Sequence, residues 1–128
     1  MTESFTIPYP KTPSGKKQWS KDYGLNAYYA GKHWSKRKQD AEFWHMITRS
    51  AMNYCNVRRK PFEKPVIITF YWNDRLDCDN HGIMGKFIVD SMQGRVIVND
   101  NRRWVKGIEH YFSNEDCIRV EVREVSNG

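Results

Sequence analysis

The chain has 128 residues, enough for one domain with a single core and too few for two comfortable ones. It carries 21 Lys+Arg against 15 Asp+Glu, a net +6, and the charge is uneven: residues 1–64 hold 13 basic and 5 acidic side chains, residues 65–128 hold 8 and 10. That asymmetry favours a polyanionic partner. Three widely spaced cysteines, Cys55, Cys78 and Cys117, without a CxxC pair, fit free thiols in a reducing compartment and argue against structural zinc. No stretch approaches the roughly 20 apolar residues of a membrane helix, and the N-terminus lacks an apolar signal core, so no membrane contact and a cytoplasmic location are expected.

Ser4 to Tyr9 reads as an opening strand ended by Pro8 and Pro10. Residues 10–33 show no clear period and read as a long functional or mobile loop. Here Lys11, Lys16, Lys17, Lys21 and Lys32 interleave with Trp19, Tyr23, Tyr28 and Tyr29, a pattern in which cations contact phosphates and rings stack on bases. Ser35 is placed to cap a helix running to about Tyr54, with Phe43, Trp44, Ile47, Ala51 and Tyr54 as its core stripe. Lys36, Arg37 and Lys38 fall in its first turn, where cations oppose the helix dipole and a phosphate contact is attractive. Arg58-Arg59-Lys60 is a second basic cluster, equally readable as a solvated face.

Pro65 to Trp72 is the clearest strand, and its near-continuous apolar run predicts an inner strand covered on both faces. Asn80 to about Met92 reads as a helix, ended by Gln93-Gly94. Val96 to Val98 reads as a short strand or extended piece reaching Asn99-Asp100. Trp104 to Phe112 and Cys117 to Glu124 read as a closing antiparallel hairpin turned at 113–116. The expected fold is α/β of the α+β kind: a single domain, 1–128, with a mixed sheet of about four to five strands and two main helices.

The chemistry-bearing stretch is Asp77-Cys78-Asp79-Asn80. On a strand, residues i and i+2 share a face, so Asp77 and Asp79 would project side by side. Two such carboxylates repel unless one is protonated or a cation lies between them, and Mg²⁺ suits oxygen donors. Asp100 follows the next apolar piece, and Lys86 lies between. Asp90 is placed to pair with Lys86 at i, i+4. Asn80 reads as a cap or an orienting residue. His81 and Asp74 are weaker candidates, His81 more a bystander than a ligand. Arg102, Arg103 and Lys106 flank Asp100 as possible DNA contacts.

The ordered set Asp77-x-Asp79-Asn80, Lys86, Asp90 and Asn99-Asp100 resembles the RusA family of Holliday junction resolvases. Pro8-x-Pro10, Leu25-Asn26-x-x-Tyr29 and His33-Trp34-Ser35-Lys36-Arg37 resemble its phage branch, so the similarity covers nearly the whole chain. The resemblance implies a small homodimeric Mg²⁺-dependent endonuclease, with Mn²⁺ as a substitute ion, in a bacterial or phage-infected cell. Asp77, Asp79 and Asp100 would be its metal ligands and Lys86 its accessory catalytic lysine, leaving a 5′ phosphate and a 3′ hydroxyl. DNA contacts are expected from Lys16, Lys17, Lys36, Arg37, Arg102 and Arg103. One departure stands out: Lys86 follows Asp79 by seven residues where the family pattern has four. An unbroken helix would rise about 10 Å over that interval, and a looped His81-Gly82 would shorten it.

The implied function is resolution of four-way junctions by paired phosphodiester hydrolysis, in recombination and repair. The alternatives are a non-catalytic DNA- or RNA-binding module and, third, a small nuclease of broad specificity.

Overall fold

Val66–Trp72 is the central strand, as its β-branched and aromatic residues predict. The computed structural model describes residues 1–125. Four strands, β1 (Thr2–Pro8), β2 (Val66–Trp72), β3 (Val105–Phe112) and β4 (Cys117–Glu124), form one mixed sheet in the order β1-β4-β2-β3. β2 runs parallel to β3 and antiparallel to β4, and β4 is antiparallel to β1. Four helices accompany them: α1 (Pro13–Tyr23), α2 (Leu25–Tyr29), α3 (Trp34–Tyr54) and α4 (Gly82–Met92), the last preceded by a 3₁₀ turn, Cys78–His81. The α+β class and the mixed sheet are as expected; among the described residues α1 and α2 join the two main helices, α3 and α4.

A parallel pair needs a crossover, and α4 supplies it between β2 and β3. The expected closing hairpin is not formed, because β2 lies between β3 and β4. The chain leaving β3 is drawn across the end of β2 instead. Ser113 N donates to Trp72 O at 2.9 Å, and Asn73 Nδ2 donates to Glu115 O at 2.8 Å.

Ile68, Phe70 and Trp72 share one face with Ile118, Val120 and Val122 and with Phe5 and Ile7, and all are buried. This is the alternation seen in residues 118–122. The other face is not covered by helices, which corrects the reading of β2 as sheltered on both sides. Its apolar positions lean on cross-strand neighbours: Tyr71 stacks on Tyr111 at 5.8 Å, beside a polar set in which Glu109 accepts from Tyr111 and Arg123.

Residues 10–33 hold two helices, α1 and α2, in place of one long loop. Thr12 caps α1 by accepting from Gly15 N at 3.0 Å, and Pro13 stands at the first helical position. The helix carries few apolar residues, so its period is faint. It is anchored by Trp19 and Tyr23, whose rings pack edge-on and tilted against Phe43 and Trp44 of α3 at 4.8–6.2 Å or stack on them. These rings belong to the core and do not offer faces to bases.

α3 starts at Trp34, and His33 caps it instead of Ser35: Ser35 N donates to His33 Nδ1 at 3.2 Å. Its buried face is Asp40, Trp44, Thr48, Ala51 and Met52, rotated from the expected stripe, and Tyr54 is 93% exposed. Val96 and Ile97 are buried but form no strand beyond one bridge from Gln93 to Ile97. Both amides return to Met92 O, and Gly94 takes φ +82°, so the segment is a tight helix-ending turn. No helix is long and apolar enough to cross a membrane among the described residues.

Candidate active site

The segment leaving β2, residues 73–81, holds three aspartates with two different fates. Asp74 turns inward. Its carboxylate accepts from Leu76 N at 3.0 Å and from the Tyr9 hydroxyl at 3.4 Å, and lies 2.8 and 2.9 Å from His81 Nε2. His81 is fully buried, stacked on Trp72 at 4.3 Å, and its Nδ1 faces Cys78 O at 3.2 Å. Both ring nitrogens are thus engaged, and His81 is a scaffold residue. The Tyr9 hydroxyl oxygen accepts from Asn73 N at 2.8 Å; burial first, then the Asp74 charge, pushes its pKa up.

Asp77 and Asp79 turn outward. Both are exposed, and neither carboxylate has a hydrogen-bond or ion-pair partner among the described residues. They do not lie on a strand: β2 ends at Trp72, and Asp77 caps the 3₁₀ turn that contains Asp79. The side-by-side projection expected of strand residues therefore does not apply. The turn is fixed by Asn80 N donating to Asp77 O at 2.9 Å. Asn80 Oδ1 accepts from Leu25 N at 3.1 Å, so Asn80 caps α2 and orients no acid. Cys78, between the two acids, lies with its Sγ 3.7 Å from His110 O on β3.

A groove of about 260 Å³ runs between α4 and β3, lined by Gly82, Gly85, Lys86, Val89, Asp90, Asp100, Ile108 and His110. It gathers Lys86, Asp90 and Asp100. Lys86 pairs with Asp90 at 3.5 Å, as the four-residue spacing predicts. Asp77 and Asp79 are not in its wall but precede Gly82 at its rim by a few residues. Because β2 and β3 are parallel, the acid pair follows the C-terminal end of β2 whereas Asp100 precedes the N-terminal end of β3. Residues 79–86 are helical throughout, 3₁₀ then α from Gly82, and the shortening loop at His81-Gly82 is absent.

Among the described residues, no three His, Cys, Asp or Glu side chains gather closely enough to hold a metal ion by themselves. Mg²⁺ rarely asks for that, since one or two carboxylates plus substrate phosphates suffice. Asp77 and Asp79 are hard oxygen donors, exposed and unengaged, and so is Asp100, but the three are not gathered into one cluster.

Neither a family model nor a curated protein matches the chain.

The basic side chains divide. Lys16 pairs with Asp116 at 2.5 Å on the surface. Arg37 donates to Lys32 O at 2.8 Å and Tyr28 O at 3.1 Å and lies over the Tyr28 ring, closing the end of α2. Lys32 is nearly buried, paired with Asp40 and held over Tyr23 and Tyr28, so it braces α2 against α3 and is lost to any ligand. Lys17, Lys36 and Arg102 are exposed without partners among the described residues, and Arg103 lies over Trp104 at 5.3 Å.

Two features escaped the sequence. His110, in a stretch read only as a strand, lines the groove. The Asp74–His81 contact joins residues seven apart across a turn, a spacing at which neither a helix nor a strand brings side chains into contact.

Proposed function

We propose that the protein is a Mg²⁺-dependent, structure-selective endodeoxyribonuclease that resolves four-way DNA junctions as a homodimer. The supporting observation is the contrast within residues 73–81: one acid is consumed by the fold, and two are left free beside a groove that holds a lysine and a third free acid. Maintaining unpaired exposed carboxylates on a chain of net +6 costs affinity for a polyanion unless a cation offsets them.

Asp77, Asp79 and Asp100 would hold the ion. When bound, it would activate water and neutralise charge on the phosphoryl oxygens and the departing 3′ oxygen. Lys86, exposed on the groove wall, offsets charge that builds on the phosphate. Lys16, Lys17, Lys36, Arg37, Arg102 and Arg103 would contact the backbone, positioning the DNA without reading its sequence. A second copy would supply the second cut on a nearly two-fold substrate. The exposed Tyr111 and Phe112 at the end of the edge strand β3 offer apolar surface for such pairing.

A second reading, a DNA- or RNA-binding module without chemistry, is favoured by one observation: Asp100 enters from the opposite end of the sheet to the acid pair. Incubation with a synthetic four-way junction, matched duplex and RNA, with Mg²⁺ or EDTA, separates the two. Paired nicks on the junction, dependent on Mg²⁺ and lost in Asp79→Asn, are the expected result. Binding without cleavage by the unaltered protein would reject the enzyme.

A further inference from the structure

His110 stands on β3 with its ring stacked on Phe70 at 5.4 Å and 16°. Trp72 Nε1 donates to its Nδ1 at 2.9 Å. An indole N–H can only donate, so Nδ1 must present its lone pair, and a neutral ring then carries its one proton on Nε2. Burial, with the neighbouring His81 adding to it, lowers the His110 pKa from its ordinary value and keeps the ring neutral at pH 7. Adding a second proton at Nδ1 would set two N–H groups against each other and leave the indole unpartnered.

The other ring edge faces the groove side. A Cβ on Gly85 would lie 3.4 Å from His110 Cε1, and Gly85, Lys86 and His110 line the same groove. Nε2 is bonded to Cε1 and has no hydrogen-bond partner among the described residues. The groove therefore carries a fixed, neutral donor beside the Lys86 cation, which pairs with Asp90. A neutral donor suits a non-bridging phosphate oxygen, because it adds a directed hydrogen bond without locking onto the acids that share the wall.

We propose that His110 donates its Nε2–H to a phosphate oxygen of a nucleic-acid backbone lying in the α4–β3 groove, and that Trp72 is the positioning residue that fixes this tautomer. The ligand rests on the nucleic-acid reading given above; the tautomer does not. In this role His110 is not a general base, since the nitrogen facing the groove already holds the proton.

The test starts with long-range ¹H–¹⁵N spectra of ¹⁵N-histidine protein at neutral pH. The Nε2–H form with a bare Nδ1 is expected, and an Nδ1–H form or an imidazolium overturns the proposal. Trp72→Phe should relax His110 toward a mixture of tautomers; an unchanged spectrum removes Trp72 from its role. A short oligodeoxynucleotide titrated in EDTA should then move the His110 Nε2–H resonance with saturation. Cleavage of a junction by the unaltered protein while His110 stays silent on DNA binding overturns this proposal alone, and failure of the unaltered protein to bind or cut any DNA overturns both readings. His110→Phe, which keeps the stacking on Phe70, should lower kcat/KM for junction cleavage about 100-fold. His110→Gln, which retains a side-chain N–H, should recover part of that loss, and equal activity in both variants rejects the donor. If either variant fails to fold, the spectra of the unaltered protein still decide.

Discussion

Asp74 and Asp79 lie five residues apart on one short segment and meet opposite surroundings. Asp74 has a buried carboxylate, 5% exposed, with partners from β1, from its own turn and from His81. Asp79 sits in a 3₁₀ turn, open to water and unengaged. An acid with both oxygens engaged by partners is there for the fold. An acid left bare by a fold that partners its neighbours so fully is available for chemistry. Burial and partner count separate the two, although the residue type and the stretch of chain are the same.

The comparison breaks most visibly on the exposed side. Asp79→Asn should reduce Mg²⁺-dependent junction cleavage by about 1,000-fold while thermal unfolding stays near that of the unaltered protein. Loss of fold together with activity would erase the distinction. On the buried side, Asp74→Ala should cost about 3 kcal/mol, because it leaves His81 buried without its carboxylate. Calorimetry should show Tm lowered by roughly 10 °C. A Tm within a degree of the original would place Asp74 with the free acids.

A smaller effect follows from His110. Its pKa is lowered in the folded chain from an ordinary 6.5, chiefly by burial, so the unfolded chain binds the proton more readily. Its contribution is fully present above about pH 6.5 and is lost as pH falls below that value. Urea midpoints between pH 8 and 5 should fall more steeply for the unaltered protein than for His110→Phe, and parallel curves would contradict the shift. The smallest effect belongs to the surface: removing the exposed Lys16–Asp116 pair by Lys16→Ala should change stability by less than about 1 kcal/mol. A double-mutant cycle with Asp116→Ala measures it.

What the sequence disclosed depended on how a residue's environment is encoded. β4 was legible because its side-chain period comes from one buried face, and β2 because its residues are β-branched and aromatic, although that run wrongly implied cover on both sides. The crossover helix α4 was legible because its apolar stripe is broad. α1 was not, since a cap, a proline and two aromatic anchors hold it and no stripe marks it. The place of β4 beside β2 was hidden because two hydrogen bonds at the end of β2 route the chain there. At the site, Asp77, Asp79, Asp100 and Lys86 were picked out by order and type, and the Lys86–Asp90 pair by helical spacing. Asp74 and His81 were singled out, His81 as more a bystander than a ligand, but their mutual contact and the place of His110 were not legible, because these arise from contacts between β1, β2, β3 and the turn that no local spacing records.

The central claim is that Asp77, Asp79 and Asp100 serve one divalent cation. Mn²⁺ binding to the full chain, followed by electron paramagnetic resonance, tests it most directly. One saturable site per chain is expected, weakened at least about tenfold by Asp79→Asn and equally by Asp100→Asn. Binding that survives Asp100→Asn unchanged, or that never saturates, would contradict it.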